Sequence, residues 1–336
     1  MKVSILLTSY NLVDYIDASI QSVVQMDMPF EWELLIGDDG STDGTVEKIN
    51  TWIEKYPNNI RLYCIERSDT SVKIGSRAAQ NRALLLEKAQ GDYINYLDGD
   101  DCFLGKEKIK EQVLLLDNPN NSDCSCCAHN SKVIRYPEGK RFLLSEPRKT
   151  GKMTIKDYWP YYYFHTNTLM FRKECKQLLL NSMYRGFLND NFITYLVLQQ
   201  GKMLYMEKVW AQYNQTGTGL WTGHSRVYGT FRNMQIFDLE LYANPKLSKQ
   251  IYLRHQGDIR FINSNATPET LAEIQPLLKN TDPEIFKYTF LFSNILHLNS
   301  TEKKRYRKVL RKANFAHLVF KCHRAILKIR RIVLHR

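Results

Sequence analysis

The stretch YINYLDGDDCF, residues 93 to 103, runs from an apolar, strand-like segment straight into Asp98, Asp100 and Asp101, with Gly99 the sole neutral residue among them. Like charges this close repel, so the cluster calls for a cation, positive side chains or open water to offset it. Carboxylates at a strand end, with glycine letting the backbone turn, suit a hard divalent cation such as Mn2+ or Mg2+. Such an ion takes oxygen ligands and shares itself between one or two carboxylates and substrate phosphates. The competing reading is that these acids cap the helix of GKEKIKEQ or form a solvated turn. Two further polar clusters stand ready to join them: Thr8-Ser9-Tyr10-Asn11 after VSILLT, and Asp38-Asp39-Gly40-Ser41 after WELLIG.

The elements that must position these groups alternate along residues 1 to 97. VSILLT, WELLIG, RLYCI and YINYL read as strands. Between them come helices at YIDASIQSVVQ, where Ile16, Ile20, Val23 and Val24 share a face, at TVEKINTWIEKY and at SRAAQNRALLLEKA. Such alternation predicts a parallel sheet wrapped by helices, with ligands outside the carboxyl ends of the strands. The three polar clusters are therefore expected to converge. From 105 to 225 the pattern is less regular: a helix at KEKIKEQVLLL, strands within 124 to 144, the aromatic run WPYYYFH, a strand at NTLMFR and a helix from near Asp190. From 226 the chain reads as helix alone, with Thr267 and Asp282 as N-caps ahead of proline.

Composition removes several classes of protein. At 336 residues and 43% hydrophobic content, the chain has enough apolar material for one large core or two modest ones, so disorder and fibrous repeats are excluded. MKVSILLT is too short for a signal peptide and no apolar run reaches membrane-spanning length, so a cytoplasmic location is expected. The seven cysteines show no paired C-x-x-C spacing of the kind zinc sites use, and CSCC in a strand-like segment reads as buried free thiols. The net charge of +12 is concentrated at the end, where thirteen Lys and Arg and no acid follow residue 302. In NFAHLVFKCHRAILKIRRIVLHR, apolar residues recur at helical steps opposite Lys321, Arg324, Lys328 and Arg331. Residues 303–336 thus form a basic amphipathic tail suited to the anionic inner face of the plasma membrane. The alternative is a terminal helix packed on its own domain or on a second copy in a homo-oligomer. Nucleic acid is not expected, since interleaved aromatics are missing.

VSILLTSYN, IGDDGSTDGT and GDYINYLDGDD, in this order and at these separations, resemble the amino-terminal half of family 2 glycosyltransferases. These are inverting, nucleotide-sugar-dependent enzymes. The resemblance is close over about residues 1–104 and looser to about 222. It implies a GT-A fold, Rossmann-like, with a mainly parallel sheet and helices on both faces, followed by an all-helical C-terminal region. The implied domain spans 1–225, with 1–104 binding the nucleotide-sugar and 105–225 the acceptor, and 226–336 is the helical region. By the same resemblance Thr8 and Tyr10 lie at the nucleobase, Asp39 accepts from uracil N3, Asp98 lies by the ribose and diphosphate, and Asp100 holds Mn2+ or Mg2+. Asp101 is a supporting acid or a helix cap. Relatives carry an Arg-Asn pair where this chain has Gln80 before Asn81, so Arg77 or Lys73 is the expected replacement for that charge. Asp190 is the candidate base, with an N-cap role as its alternative. His165 and Thr166 fall on the acceptor side, and Trp221 with Thr222 in a loop over the donor. Asn214 and Thr216 stand where relatives show Arg-x-His. The implied activity is metal-dependent transfer of a sugar, UDP-linked by preference, to a hydroxyl of a glycan or lipid-linked acceptor, as in bacterial surface polysaccharide synthesis. The alternatives are a non-catalytic scaffold of the same fold and a sugar-phosphate nucleotidyltransferase.

Overall fold

Val3, Ile5, Leu6 and Leu7 have no exposed surface, which places β1 (Lys2–Ser9) inside a sheet covered on both faces. The structure, a computed structural model, describes residues 2–66, 76–146, 149–158, 164–216 and 225–247 continuously, then scattered residues between 251 and 286. Two compact units partition the chain: Met1–Tyr158 with Tyr162–Gly219, and Trp159–Tyr161 with Leu220–Arg336.

In the first unit β1 is followed by α1 (Ile16–Val24), β2 (Glu31–Asp38), α2 (Thr45–Lys55), β3 (Ile60–Cys64), α3 (Arg77–Lys88), β4 (Tyr93–Asp98), β5 (Cys102–Phe103) and α4 (Lys108–Asp117). Then come β6 (Cys124–Arg135), β7 (Lys140–Leu143), β8 (Gly151–Met153), α5 (Ile155–Tyr158), β9 (Met170–Arg172), α6 (Lys176–Leu179), α7 (Asp190–Leu198) and β10 (Lys202–Gln215). The strands form one sheet in the order β3-β2-β1-β4-β9-β6-β10-β5, with β7 on β6 and β8 on β10. The first four strands are parallel; β9 runs antiparallel between β4 and β6, and β10 returns parallel to β6. Ile16, Ile20 and Val23 of α1 are fully buried, as their helical spacing predicts, and pack with Ile5, Leu7 and Leu34 in one core cluster. Each such side chain contributes about 1.5–3 kcal/mol on burial. Cys124, Cys126 and Cys127 are buried free thiols in β6.

Register brings the polar clusters to one end. Thr8 pairs with Asp98 across β1 and β4, and Ser9 pairs with Asp38 across β1 and β2. Helix α3 is docked against β2 by a close approach: Asn81 Nδ2 donates to the Gly37 carbonyl at 2.6 Å, and a Cβ on Gly37 would fall 1.8 Å from Asn81 Oδ1. Glycine is required there.

The second unit contains α8 (Arg226–Ala243), whose N-cap Ser225 accepts from the Tyr228 amide. The described residues between 251 and 274 are helical except Thr267, whose hydroxyl accepts from the Thr270 amide as an N-cap. Among the described residues no helix is long and apolar enough to cross a membrane. Asp282 and the basic tail, residues 303–336, lie outside the described residues. His255 is buried with both ring nitrogens on acids, Nε2 on Glu240 at 3.0 Å and Nδ1 on Asp258 at 3.1 Å. Burial alone would push the imidazole down, but the charges and hydrogen bonds of Glu240 and Asp258 lift it to about 9.

Two outcomes are expected. Gly37→Ala destabilises the first unit by about 1–3 kcal/mol in urea unfolding, because Asn81 must move. For His255, a folded value above the ordinary histidine value means its stabilisation is complete below pH ~6.5 and is lost as pH rises through about 9. The stability difference between wild type and His255→Gln, measured against pH, should shrink across that window.

Candidate active site

The ends of β1, β2 and β4 are tied into one rim. The Thr8 hydroxyl donates to Asp98 Oδ1 at 2.8 Å, and the Gly99 amide donates to the Thr8 carbonyl at 2.8 Å. The Asp39 amide donates to the Ser9 carbonyl at 2.9 Å, and the Asn11 amide to Ser41 Oγ at 2.8 Å. Tyr10, beside them, is exposed. The acids of the 98–101 turn do not cap the next helix, since α4 starts at Lys108 behind Glu107. The capping alternative, for Asp101 in particular, is thereby removed.

The cation facing Asp98 is Arg82, a residue the sequence reading passed over. Its Nη2 donates to both Asp98 oxygens at 2.8 Å, Nη1 donates to the Leu188 carbonyl at 3.2 Å, and Asp190 lies 3.7 Å away. Burial would raise the Asp98 carboxyl, but Arg82, His165 and Thr8 hold it below the usual carboxylate range. Arg77, expected to supply the missing charge, instead pairs with Asp39, Nη2 to Oδ1 at 2.6 Å, and also reaches the Glu66 carbonyl. Gln80 is half-buried in the first turn of α3, its amide donating to the Ser76 carbonyl, and Lys73 lies outside the described residues. A signal for Arg82 was present: it sits among Ala79, Ala83, Leu85 and Leu86 on a buried helix, where a guanidinium needs a carboxylate partner.

Asp101 is completely buried. Oδ1 accepts from the Asn214 amide at 2.8 Å and Oδ2 from Asn167 Nδ2 at 3.0 Å. Asn214 also donates through Nδ2 to the Asp100 carbonyl at 2.6 Å, so it clamps the acidic turn from β10. Burial and the neighbouring charges of Asp100 and Asp98 push the Asp101 carboxyl well up; burial and Asp98 lift Asp100 to about 6. Ligand atoms of Asp98, Asp101 and His165 lie within 4.8 Å of one another, the one such group among the described residues, and Asp100 is not in it. Asp101 is fully buried, so the carboxylates that keep some exposed surface at this rim are Asp98 and Asp100. The oxygens of both, and the charge of Asp100, which burial and Asp98 leave undercompensated, fit a hard divalent cation.

On the other side His165 accepts the Asn167 amide at Nδ1, capping the short 3-10 turn Thr166–Thr168. Its Nε2 is thereby aimed at Asp190 Oδ2, 3.5 Å away, and its ring stacks on Tyr213 at 4.3 Å between centroids. Asp190 also receives the Thr166 hydroxyl at 3.4 Å. The N-cap of α7 is Asn189, whose side chain accepts from the Phe192 amide at 2.9 Å. Asp190 is thus not the cap, which leaves its carboxylate in the first turn, where the helix dipole favours negative charge. Sequence reasoning missed Asn167 and Tyr213 as well as Arg82. Trp221 and Thr222 lie outside the described residues.

A sheet of this order, with acids gathered at its strand ends, defines a Rossmann-like GT-A fold. Crystal structures of Staphylococcus aureus TarS 1-349 superpose on it with a TM-score of 0.62 at 17% identity, over 92% of each chain, in the form bound to UDP-GlcNAc. "Glycosyl transferase family 2" matches residues 4–179, and the chain belongs to that family. Among its relatives, the "Putative teichuronic acid biosynthesis glycosyltransferase TuaG" of Bacillus subtilis is 38% identical over 111 residues, 33% of this chain and 40% of that protein. The "Poly(ribitol-phosphate) beta-glucosyltransferase" of Bacillus spizizenii is 36% identical over 110 residues, 32% of this chain and 16% of its own length. The matches therefore span less than half of these relatives.

Arg82→Met should leave the half-buried Asp98 without its partner and cost about 3 kcal/mol in urea unfolding. Arg82→Lys should recover only part of this, since an ammonium does not reproduce the guanidinium's contacts to Asp98 and the Leu188 carbonyl together.

Proposed function

We propose that this chain is a metal-dependent, inverting glycosyltransferase that moves a sugar from a nucleotide-sugar, UDP-linked by preference, to a hydroxyl of a cell-surface glycan or lipid-linked acceptor. The observation that carries this reading is the convergence of Asp98, Asp100, Arg82, His165 and Asp190 at one edge of the sheet, from four separate segments. Further support comes from TarS, whose crystals contain UDP-GlcNAc. A second structure of this fold, GalNAc-T7, with a TM-score of 0.53, was crystallised with UDP, GalNAc and Mn2+. Relatives named for teichuronic acid and poly(ribitol-phosphate) support a cell-surface polymer as acceptor.

Thr8, Tyr10, Asp39 and Arg77 form the nucleoside end of the rim, with Lys73 and Gln80 as further contacts in this reading. Asp100, with Asp98, would hold Mn2+ or Mg2+, which when bound stabilises charge on the departing diphosphate. Arg82 keeps Asp98 ionised and fixed. Asp190 accepts the proton of the acceptor hydroxyl as that oxygen bonds to the sugar's anomeric carbon; the bond to the diphosphate breaks and its electron pair leaves with the nucleotide. His165, held by Tyr213 and the Asn167 amide, orients Asp190 and excludes water. Thr166 completes the acceptor side, and the basic residues 303–336 supply contact with an anionic membrane.

Asp190→Asn should retain binding of the nucleotide-sugar, followed by thermal shift with Mn2+, while release of UDP in the presence of acceptor falls by about 10²–10⁴-fold. Undiminished turnover would remove Asp190 from the role of base.

A further inference from the structure

The hairpin of β6 and β7 carries a charge pattern that the reaction above does not use. Residues 131–145 contain Lys132, Arg135, Lys140 and Arg141 against one acid, Glu138, in the turn. Arg135 and Lys140 are both exposed and occupy directly facing positions of the antiparallel pair. Like charges so placed destabilise a sheet. Among the described residues neither makes an ion pair that would relieve the repulsion. Arg135 is nonetheless held in place: Nε donates to Gln215 Oε1 at 2.9 Å and the guanidinium lies over the Phe142 ring, 5.4 Å from its centroid. Its terminal amino groups make no hydrogen bond among the described residues, which leaves a fork suited to a phosphate.

The pair is also continuous with the site. Tyr213 and Gln215 face Val133 and Arg135 in register. Alternation along a strand puts Gln215, Arg135 and Lys140 on the same sheet face as Tyr213, whose ring stacks on His165, about 7 Å further along.

We propose that Arg135 and Lys140 form a clamp for a phosphodiester of the acceptor, so that the acceptor is a polyanionic, phosphodiester-linked chain laid along the β6–β7 hairpin with its reacting hydroxyl at Asp190. This rests on the reading of His165 and Asp190 as the acceptor side. The two cations at facing positions, one anchored beforehand, are relieved by the anion they bind.

The test is fluorescence anisotropy at low salt, without any sugar nucleotide, using a labelled ribitol-phosphate oligomer and a neutral maltooligosaccharide of matched length. The full chain should prefer the charged oligomer. Arg135→Gln/Lys140→Gln should weaken that binding by about tenfold or more, as expected for losing charge-assisted contacts. Arg135→Lys, which keeps the charge and loses the fork, should fall between. Lys48→Gln/Lys55→Gln, the same charge change on α2 beside β3 at the far end of the sheet, should have little effect. Equal binding by wild type and the hairpin variant, an equal loss in the α2 variant, or no preference for the charged oligomer would overturn the clamp. So would hairpin-dependent binding to phosphatidylglycerol vesicles in place of the oligomer. Hairpin-dependent oligomer binding by a protein that turns over no nucleotide-sugar would refute the glycosyltransferase reading alone, leaving the clamp intact.

Discussion

A single buried guanidinium makes the acidic edge of this sheet tolerable. Asp98 is partly withdrawn from water at the end of β4, and its ionised form is held because Arg82 donates to both of its oxygens. Removing a carboxylate from solvent costs several kcal/mol unless a partner of good geometry is in place. Arg82 in turn depends on how α3 is seated. That seat is made by the Ser76 cap at its start, by Asn81 against the Gly37 carbonyl, and by the Leu188 carbonyl on the approach to α7. The cation therefore couples β2, β4, α3 and α7.

The charge at this edge is deliberately uneven. Asp98 and Asp100 stand two residues apart, yet one carboxyl is held down and the other is lifted to about 6, because Arg82 and Thr8 bond the first while Asp100 feels chiefly burial and its neighbour's charge. Environments that push like groups in opposite directions are a mark of sites where charge is handled during a reaction. Asp101, buried and braced by Asn214 and Asn167, acts on this edge through structure: it anchors the acidic turn to β10 and to the segment that carries His165. That anchoring fixes the separation between the rim that would take a diphosphate and the face that would take an acceptor.

The His165 side of the site extends the same logic outward. Tyr213 presents its ring to His165, and two residues later β10 supplies Gln215 to hold Arg135. One strand thus carries the brace of the acidic turn, the stacking partner of the histidine and the anchor of the hairpin cation. Substitutions in β10 would be felt at all three.

Periodicity and turn chemistry are local properties, and they were legible in the chain: the apolar run of β1, the helical face of Ile16, Ile20 and Val23, and the strand-end clusters around Thr8, Asp38 and Asp98, which parallel register then aligned. Family likeness pointed to Asp190 and His165, which the fold brings within 3.5 Å of each other. The partner of Asp98 was not legible, because the expected arginine position holds Gln80 and the charge that reaches the site comes from Arg82, two residues on, at a rotation of the helix set by its docking on β2. Nor was the role of Asn214, which meets an acid 113 positions earlier in the chain. By itself the sequence determined the alternating strands and helices of residues 1–97 and which side chains carry charge, but not the strand β10. Only the tertiary structure decided which charges meet, since that depends on the angle and depth at which whole elements pack, a quantity that no short stretch of residues encodes.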